Sequence, residues 1–192
     1  MPPPNAPVLE FLRHRRSHPA RTLRAPVPGR DELRVLLTAA ARSPDHGKLE
    51  PWRFIVLEKP ALTRLARLAE ERAPHLDVPP EKVAKGVAQY DNADLAVAVI
   101  SVPRASDKVP AFEQILSAGA VCLSLLNAAL AAGWGANWLT GWAVQDPEFR
   151  ARALGLAPSE SVAGVIFIGT PSHTPPDRPR PDIDAISTWM ER

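Results

Sequence analysis

The sequence predicts an α+β domain in which helices cover both faces of a small mixed sheet, a three-layer α/β/α arrangement. Residues 95–102 are apolar except for Ser101, which is typical of a strand covered by helices on both sides. Residues 118–132 are apolar almost all the way round a helix, which predicts a helix buried on most sides. At 192 residues, one domain spanning 1–192 can bury roughly 70% of the surface of its unfolded chain.

Residue spacing and end signals define the predicted helices. Asn5 is suited to cap the first helix and Asp31 the second, because their side-chain oxygens can accept hydrogen bonds from the first turn. Pro110 opens the longest helix at a first-turn position, and Gly133 closes it. The predicted helices cover residues 8–16, a segment from Asp31 that ends before Pro44, and residues 62–72, 81–89, 109–132 and 147–155.

Short apolar runs bounded by polar residues, proline or glycine predict four strands, at residues 54–57, 95–102, 135–139 and 162–168. The 22 prolines are about twice the number expected at an average usage of ~5%. Many of them mark element ends, and a dense cluster predicts an extended C-terminal arm over residues 171–192. Composition leaves open whether this arm is disordered or lies on a partner. Residues 1–6, also rich in proline, are predicted to be flexible.

Composition excludes several classes of protein. Lys and Arg exceed Asp and Glu by 23 to 21, and a net charge of +2 is too small to predict a nucleic-acid-binding protein. One cysteine allows no intramolecular disulfide, and the five histidines show no spacing typical of a metal site. With no apolar run of ~18 residues and no secretory signal, we expect a cytoplasmic protein without a membrane span. The Arg-rich, acid-free segment 13–24 resembles a transit peptide, but the apolar residues before it favour a folded helix.

Three segments could carry chemistry, and the first is Arg13-His14-Arg15-Arg16-Ser17. Guanidinium groups and a hydroxyl are what a phosphate monoester needs, because arginine supplies planar, bidentate donors. Taken alone, this segment is better explained as a solvated basic helix end, which the helix dipole favours. A nucleic-acid site is a weaker alternative, since no aromatic residues are interleaved with the basic ones.

The second segment, residues 43–54, reads Ser-Pro-Asp-His-Gly-Lys-Leu-Glu-Pro-Trp-Arg-Phe and links a helix to a strand. Loops of this kind present side chains and backbone donors to a ligand. His46 or Lys48 could bond a cofactor or donate a proton, or each could be an ordinary exposed residue.

The third segment, residues 133–142, reads Gly-Trp-Gly-Ala-Asn-Trp-Leu-Thr-Gly-Trp. Closely spaced glycines let the backbone approach a flat ligand, and indoles can stack on an aromatic ring. Alternatively, these residues could have only a structural role, as the end of a helix followed by a buried strand.

Taken in this order, the three segments and the terminal Val-Ile-Phe-Ile-Gly-Thr-Pro strand resemble the nitroreductase family of flavoproteins over residues 8–171. The closest match is to its small bacterial branch with an Ala-Pro-Asp-His loop, here Ser43-Pro44-Asp45-His46. The resemblance implies a nitroreductase-like fold and a homodimer that binds FMN at the subunit interface and uses NADH or NADPH. It also implies that the C-terminal arm reaches the partner subunit.

Carried over by position, the resemblance implies specific cofactor contacts. Residues at the end of the first helix and in the arm would hold the ribityl phosphate: Arg15, Arg16, Ser17 and Arg180, with Arg178 as a weaker candidate. The partner's loop would supply Pro44, Asp45 and His46 to the flavin face, and Lys48 would lie near the ring edge. The fourth strand region would follow the ring and ribityl chain with Trp138, Leu139, Thr140 and Gly141.

Two residues depart from the commoner family loop, which has Asn and Gln where this chain has Lys48 and Glu50. A lysine near the pyrimidine edge would stabilise an anionic reduced flavin, whereas a glutamate would oppose it unless paired.

The sequence therefore predicts an NAD(P)H-dependent flavin oxidoreductase that reduces small acceptors such as nitroaromatics or quinones by a ping-pong mechanism. No side chain is required as a general acid, and His46 is only a weak catalytic candidate. An alternative is a flavin-binding or flavin-handling protein of the same fold without NAD(P)H turnover. A nucleic-acid-associated protein that uses residues 13–24 is a further one.

Overall fold

A five-stranded sheet between two layers of helices organises residues 3–190, the part of the chain that the computed structural model describes. The strands are β1 (Leu23–Arg24), β2 (Trp52–Glu58), β3 (Leu95–Ser101), β4 (Gly135–Leu139) and β5 (Ser161–Pro171). The helices are α1 (Ala6–His14), α2 (Arg30–Ala40), α3 (Lys59–Arg72), α4 (Pro80–Asp91), α5 (Ala111–Ala131), α6 (Pro147–Leu154) and α7 (Ile183–Ile186). The α+β class and the three-layer arrangement are confirmed; β1 and α7 were not predicted.

The prediction of a mixed sheet is wrong for the described residues, because all four strand pairings are antiparallel. The order is β1-β5-β3-β2, and β4 also pairs with β5. Helices α3 and α4 pack together and return the chain to the end of the sheet at which β2 stops. Strand β3 therefore runs antiparallel to β2. Helix α5 then crosses the sheet once, so β4 runs in the same direction as β3. These two strands do not pair with each other, because β5 lies between β3 and β4.

Two apolar layers lie on opposite faces of the sheet, and β3 contributes alternate residues to each. Every residue of β3 is buried, which confirms that helices cover both of its faces. One layer joins the sheet to α3, α4 and α6 through Ala96, Ala98, Ile100, Leu62, Leu65, Tyr90 and Phe149. The other joins it to α2 and α5 through Leu95, Val97, Val99, Leu33, Leu36, Val121 and Leu125.

Local end signals explain where some helices begin. The Asn5 side chain accepts a hydrogen bond from the Val8 N–H at 3.3 Å, as predicted. The prediction that Asp31 caps α2 is wrong: Gly29 occupies the cap position, and its N–H donates to the Glu32 carboxylate at 3.0 Å. Asp31 lies instead in the first turn, where its negative charge still favours the helix dipole.

Helices α1 and α5 carry apolar side chains that this chain alone does not bury. Helix α1 has no buried residue. In residues 118–132, the stretch predicted to be buried on most sides, Leu123 is the one large apolar side chain left exposed, and the open face of α5 lies mainly before that stretch. The exposed apolar side chains are Val8, Leu9 and Leu12 on α1, and Phe112, Ile115, Leu116 and Leu123 on α5. We call these seven residues the apolar stripe.

Helix α5 also has the length and composition of a membrane span, with a mean hydropathy of 1.7 over its most apolar 18 residues. However, 44% of that stretch is buried in the fold, and its inner face packs on the sheet. Apolarity of this kind is typical of a core helix.

The predicted C-terminal arm follows β5, and part of it lies on the chain's own body. Arg16 Nε donates to the Pro176 carbonyl at 3.3 Å, and Arg180 Nη2 donates to the Arg13 carbonyl at 3.4 Å. Residues 191–192 of the arm and residues 1–2 of the predicted flexible segment lie outside the described residues. The flexibility of residues 1–6 stays a prediction, although Ala6 already belongs to α1.

Acid sensitivity follows from an ion pair that reaches over β3. Glu160, just before β5, accepts hydrogen bonds from Arg53 Nε at 2.7 Å and Arg53 Nη2 at 2.9 Å on β2. These bonds lower the pKa of Glu160 to about 2, against the opposing effect of burial. Because the pKa in the folded state is depressed below the ordinary ~4.3 of glutamate, the pair stabilises the protein above that pH. The stabilisation is lost as the pH falls toward 2.

We therefore expect Glu160→Gln to lower the free energy of unfolding at pH 7, and this deficit to shrink progressively between pH 5 and pH 2. Urea denaturation across that range measures both effects. Glu70→Gln, which removes an exposed carboxylate from α3, is the matched control. A deficit of equal size at pH 7 and at pH 2.5 would show that the pair does not act through charge.

Candidate functional site

The turn after α1 is joined to β4, which brings the first and third sequence segments together. The His18 N–H donates to the Ala136 carbonyl at 2.9 Å, and Asn137 Nδ2 donates to the His18 carbonyl at 2.6 Å. Just before this turn, Arg15 Nη2 donates to Ser17 Oγ at 3.1 Å. The basic helix end is therefore held against a strand of the sheet, whereas a solvated helix end would be free to move.

Positive charge accumulates around this turn. Burial lowers the pKa of Arg15, and so do the charges of Arg16 and Arg180. Burial also lowers the pKa of His18, with further contributions from His173 and Arg16. The nearest ion pair in the arm, Arg180 with Asp177 at 3.2 Å, compensates one of these charges. We call Arg15, Arg16, His18, His173 and Arg180 the cation cluster.

Two nitrogen atoms of the cation cluster are buried without a hydrogen-bond partner among residues 3–190, Arg15 Nε and His18 Nδ1. Both residues line one cavity of about 350 Å³, together with Arg16. Buried polar atoms are nearly always hydrogen-bonded in folded proteins. Unpartnered donors and converging positive charges in one cavity suit an anion with several acceptor oxygens, such as a phosphate.

A second cavity, of about 440 Å³, lies along β4 on the side of Ser17. It is lined by Ser17, Leu126, Asn137, Trp138, Leu139, Thr140 and Ala163. The Trp138 indole, 37% exposed, packs directly on Gly164 of β5, where any Cβ would overlap the ring. An apolar wall with a hydroxyl at one end can hold a flat ligand that carries a polar tail.

A third cavity, of about 520 Å³, contains residues that the sequence analysis missed. Arg21, Lys85, Gln89 and Asn92 line it together with Asn137 and Leu139, which also line the cavity beside Ser17. Gln89 Nε2 is buried without a partner among the described residues, and the Gln89 amide lies beside Gly141. The signal was present: Lys85, Gln89 and Asn92 recur at the i, i+4, i+7 spacing of one helix face.

The second segment does not join this site within one chain. Pro44, Asp45, His46 and Lys48 do not line the cavities of Ser17 or the cation cluster among residues 3–190. His46 Nδ1 instead lies 2.8 Å from Glu113 Oε2 on the first turn of α5. The prediction that a partner subunit brings this loop to the site stays a prediction.

The loop has a distinctive backbone. Gly47, Lys48 and Glu50 adopt positive φ angles of 75°, 54° and 47°. Such angles are uncommon for residues with side chains and store strain of order 1–3 kcal/mol each. The Asp45 carboxylate offsets part of it by accepting the Glu50 N–H at 3.0 Å. Lys48 and Glu50, the two departures from the family loop, thus lie on a strained backbone.

Comparison with known proteins decides the family. Residues 12–170 match the profile of the Nitroreductase family. The chain is 32% identical over 164 residues to YdjA of Escherichia coli (strain K12), provisionally named an NAD(P)H nitroreductase, covering 85% of this chain and 88% of YdjA. The chain belongs to the nitroreductase family. A Haemophilus influenzae protein with the same provisional name is 34% identical over the same shares of both chains.

Solved structures agree with this nitroreductase fold. A nitroreductase-like protein from Bacillus cereus superposes with a TM-score of 0.78 at 21% identity, covering 100% of this chain and 99% of that protein. A provisionally named nitroreductase from Desulfovibrio desulfuricans, solved in complex with FMN, superposes with a TM-score of 0.75 at 23% identity, covering 97% and 99%. The nitroreductase-like fold that the sequence motifs implied is confirmed.

The contact of Trp138 with Gly164 can be tested by adding one methyl group. We expect Gly164→Ala in this nitroreductase-family chain to lower the free energy of unfolding by about 1–3 kcal/mol, because the methyl group forces the indole out of place. Urea denaturation followed by tryptophan fluorescence measures the loss. Combining it with Trp138→Leu is the control, since the double variant should lose much less than the two single changes added together. Additive losses would show that the indole does not rest on Gly164.

Proposed function

We propose that this protein is an FMN-dependent oxidoreductase that takes electrons from NADH or NADPH and reduces small acceptors such as nitroaromatics or quinones. The observation that carries the proposal is the cation cluster, with two buried and unpartnered nitrogen atoms, next in sequence to Ser17, which lines a cavity along β4. A phosphate on a flat ring system has the charge and the shape for this pair of cavities. The family and the provisional names of its relatives support the same activity, and the proposal includes a cytoplasmic location.

The residues present fit the phosphate end of FMN. Arg15 already donates to Ser17 Oγ, so the guanidinium and the hydroxyl converge. Arg180 lies close enough to Arg15 to lower its pKa. Arg180 is therefore a better candidate than Arg178 for binding the same phosphate as Arg15. The proposed phosphate contacts are Arg15, Arg16, Ser17 and Arg180.

Along the ring and the ribityl chain, we propose contacts with Trp138, Leu139, Thr140 and Gly141. The first three of these line the cavity of Ser17. Gly141, at φ 77°, follows them, and its lack of a side chain leaves room beside the Gln89 amide. This arrangement suits a ligand that lies lengthwise on β4.

FMN, when bound, supplies the hydride chemistry: it accepts a hydride from the nicotinamide and passes electrons to the acceptor. The chain's own residues anchor the phosphate, wall one side of the cavity and place positive charge nearby. Arg21 and Lys85 at the adjoining cavity add cations where a negative charge would be stabilised. In the ping-pong scheme that we propose, the donor leaves before the acceptor enters the same cavity.

His46 would act as a proton donor only from the partner subunit. Glu113 holds its Nδ1 at 2.8 Å on α5 of the same chain. The loop of Pro44, Asp45, His46 and Lys48 would therefore complete the site across a subunit interface.

A homodimer is the second part of the proposal. The apolar stripe comprises side chains between Phe112 and Leu123 of α5 and on the exposed face of α1, and these side chains are 45–67% exposed. Exposed apolar patches mark interfaces in soluble proteins. Burying it against a second copy would bring the partner's loop, which is tethered to α5 by Glu113, toward this chain's site.

Flavin content and anaerobic reduction test the function. We expect the purified protein to bind FMN and turn yellow, and NADH or NADPH to bleach its absorbance band in the absence of oxygen. Absence of flavin binding after reconstitution would overturn the proposal. Binding without bleaching by either nucleotide would favour the alternative, a flavin-handling protein without turnover.

Arg16→Gln is the variant arm of this test. It should weaken FMN binding by about 10- to 100-fold, since a hydrogen bond to a charged group contributes roughly 1.5–3 kcal/mol. Riboflavin, which lacks the phosphate, should bind equally well to both proteins. Arg67→Gln, an exposed arginine on α3, is the matched control and should change neither affinity.

The dimer can be tested without disturbing the subunit. Gly119 of α5 lies amid the apolar stripe, and a Cβ at this position meets nothing within 4 Å in one chain. We therefore expect Gly119→Leu to fold but to obstruct the partner, and Leu116→Glu to do the same by charge. Light scattering after gel filtration should give about twice 20.8 kDa for the natural chain and 20.8 kDa for the variants. Val56→Glu, on the edge strand β2, should remain dimeric.

A further inference from the structure

His18 lies directly after the proposed phosphate residues, and none of the motifs accounts for its side chain. Its backbone is fixed on both sides by Ala136 and Asn137 of β4, at 2.9 and 2.6 Å. Its Nδ1 is shielded from solvent and has no hydrogen-bond partner among residues 3–190. The backbone of His18 is therefore fixed, while its imidazole carries an unsatisfied polar atom, which is unfavourable in a buried position.

The surroundings of His18 are basic on two sides and neutral on the third. The end of α1 contributes His14, Arg15 and Arg16, which line the same cavity of about 350 Å³. The arm contributes His173 and, further along, Arg180, which pairs with Asp177. Strand β4 contributes only the neutral Ala136 and Asn137.

Other groups near the cavity already have partners. His14 Nδ1 lies 3.0 Å from the Glu10 carbonyl and 3.1 Å from the Glu10 carboxylate. Arg16 Nε donates to the Pro176 carbonyl. His18 and Arg15 thus hold the two nitrogen atoms in this cavity that a ligand would satisfy.

Burial and the neighbouring basic residues lower the pKa of His18 and so favour its neutral form in the absence of a bound anion. A phosphate dianion would reverse both causes, because its charge offsets the cations and its oxygens accept from the imidazolium N–H groups. Ligand binding and protonation would therefore favour each other.

We propose that His18 is a further binding residue of this site and that its imidazole takes up a proton when a phosphate monoester binds. As far as the ligand is FMN, the inference rests on the proposed function. The step is a proton transfer from solvent to the ring nitrogen, with no bond made or broken in the ligand.

The sign of the proton exchange on binding shows whether the exchanged proton belongs to His18 or to the ligand. A phosphate monoester has a second pKa near ~6, so a cationic site can only make it release protons. Net uptake at pH 7 must therefore come from the protein. An uptake of about half a proton per site corresponds to an affinity about fivefold tighter at pH 6.5 than at pH 8.

The experiment is calorimetric titration of the full-length chain, freed of flavin by dialysis, with FMN, riboflavin and inorganic phosphate. Running each titration at pH 7 in two buffers of different ionisation enthalpy counts the protons exchanged. We expect net uptake with FMN and none with riboflavin. With inorganic phosphate the net uptake should be smaller, because more of this ligand is still monoprotonated at pH 7 and releases its own proton when it binds as a dianion. His18→Asn should lose the uptake and the pH dependence while still binding riboflavin, and His75→Asn is the control remote from the site.

Each outcome decides the inference. Absence of uptake when the natural chain binds FMN overturns it and leaves the proposed function standing. Uptake that persists in His18→Asn and disappears in His173→Asn also overturns it, because the proton then belongs to His173. Phosphate binding without flavin binding overturns the proposed function, and it supports the inference if His18→Asn shifts the proton exchange with phosphate toward release. If neither ligand binds, both fall.

Discussion

Two hydrogen bonds between the turn after α1 and β4 determine where the site forms. They hold His18 against Ala136 and Asn137, so the arginines just before it are placed beside the strand. Strand β4 is in turn positioned by its pairing with β5, which also pairs with the fully buried β3. The basic residues are thus linked to the most buried part of the sheet, and a rigid scaffold of this kind can hold charges that would otherwise move apart.

Charge and burial oppose each other in the cation cluster. Burial lowers the pKa of both Arg15 and His18, and the neighbouring positive charges lower it further. A fold that brings such groups together is destabilised unless a counter-charge offsets the repulsion. Ligand binding of this kind stabilises the folded chain through mass action. The same residues therefore connect cofactor affinity, protonation and stability.

The apolar stripe and the Pro44–Lys48 loop both have a role in the proposed contact with a second subunit. Both are attached to α5, the stripe through its own side chains and the loop through the contact of His46 with Glu113. One chain leaves both on its surface, away from the cavity along β4. An interface that covers the stripe would therefore also decide what the loop contacts, so assembly and site completion are a single event in this proposal.

Local patterns in the sequence determined the elements that depend on local physics: four strands, the main helices, the Asn5 cap and the buried character of β3. They also predicted the basic helix end and the glycine-rich strand as site segments, and the structure places these two segments side by side. They failed where the outcome depends on distant residues. The insertion of β5 between β3 and β4 made the sheet antiparallel, and Gly29 rather than Asp31 capped α2 through Glu32. Tertiary structure alone decided which residues lie together: Arg15 with His18 and Arg180, and Arg21 with Lys85 in one cavity. The reason is that periodicity shows on which side of its own helix or strand a residue lies, but not which residue of another element lies opposite.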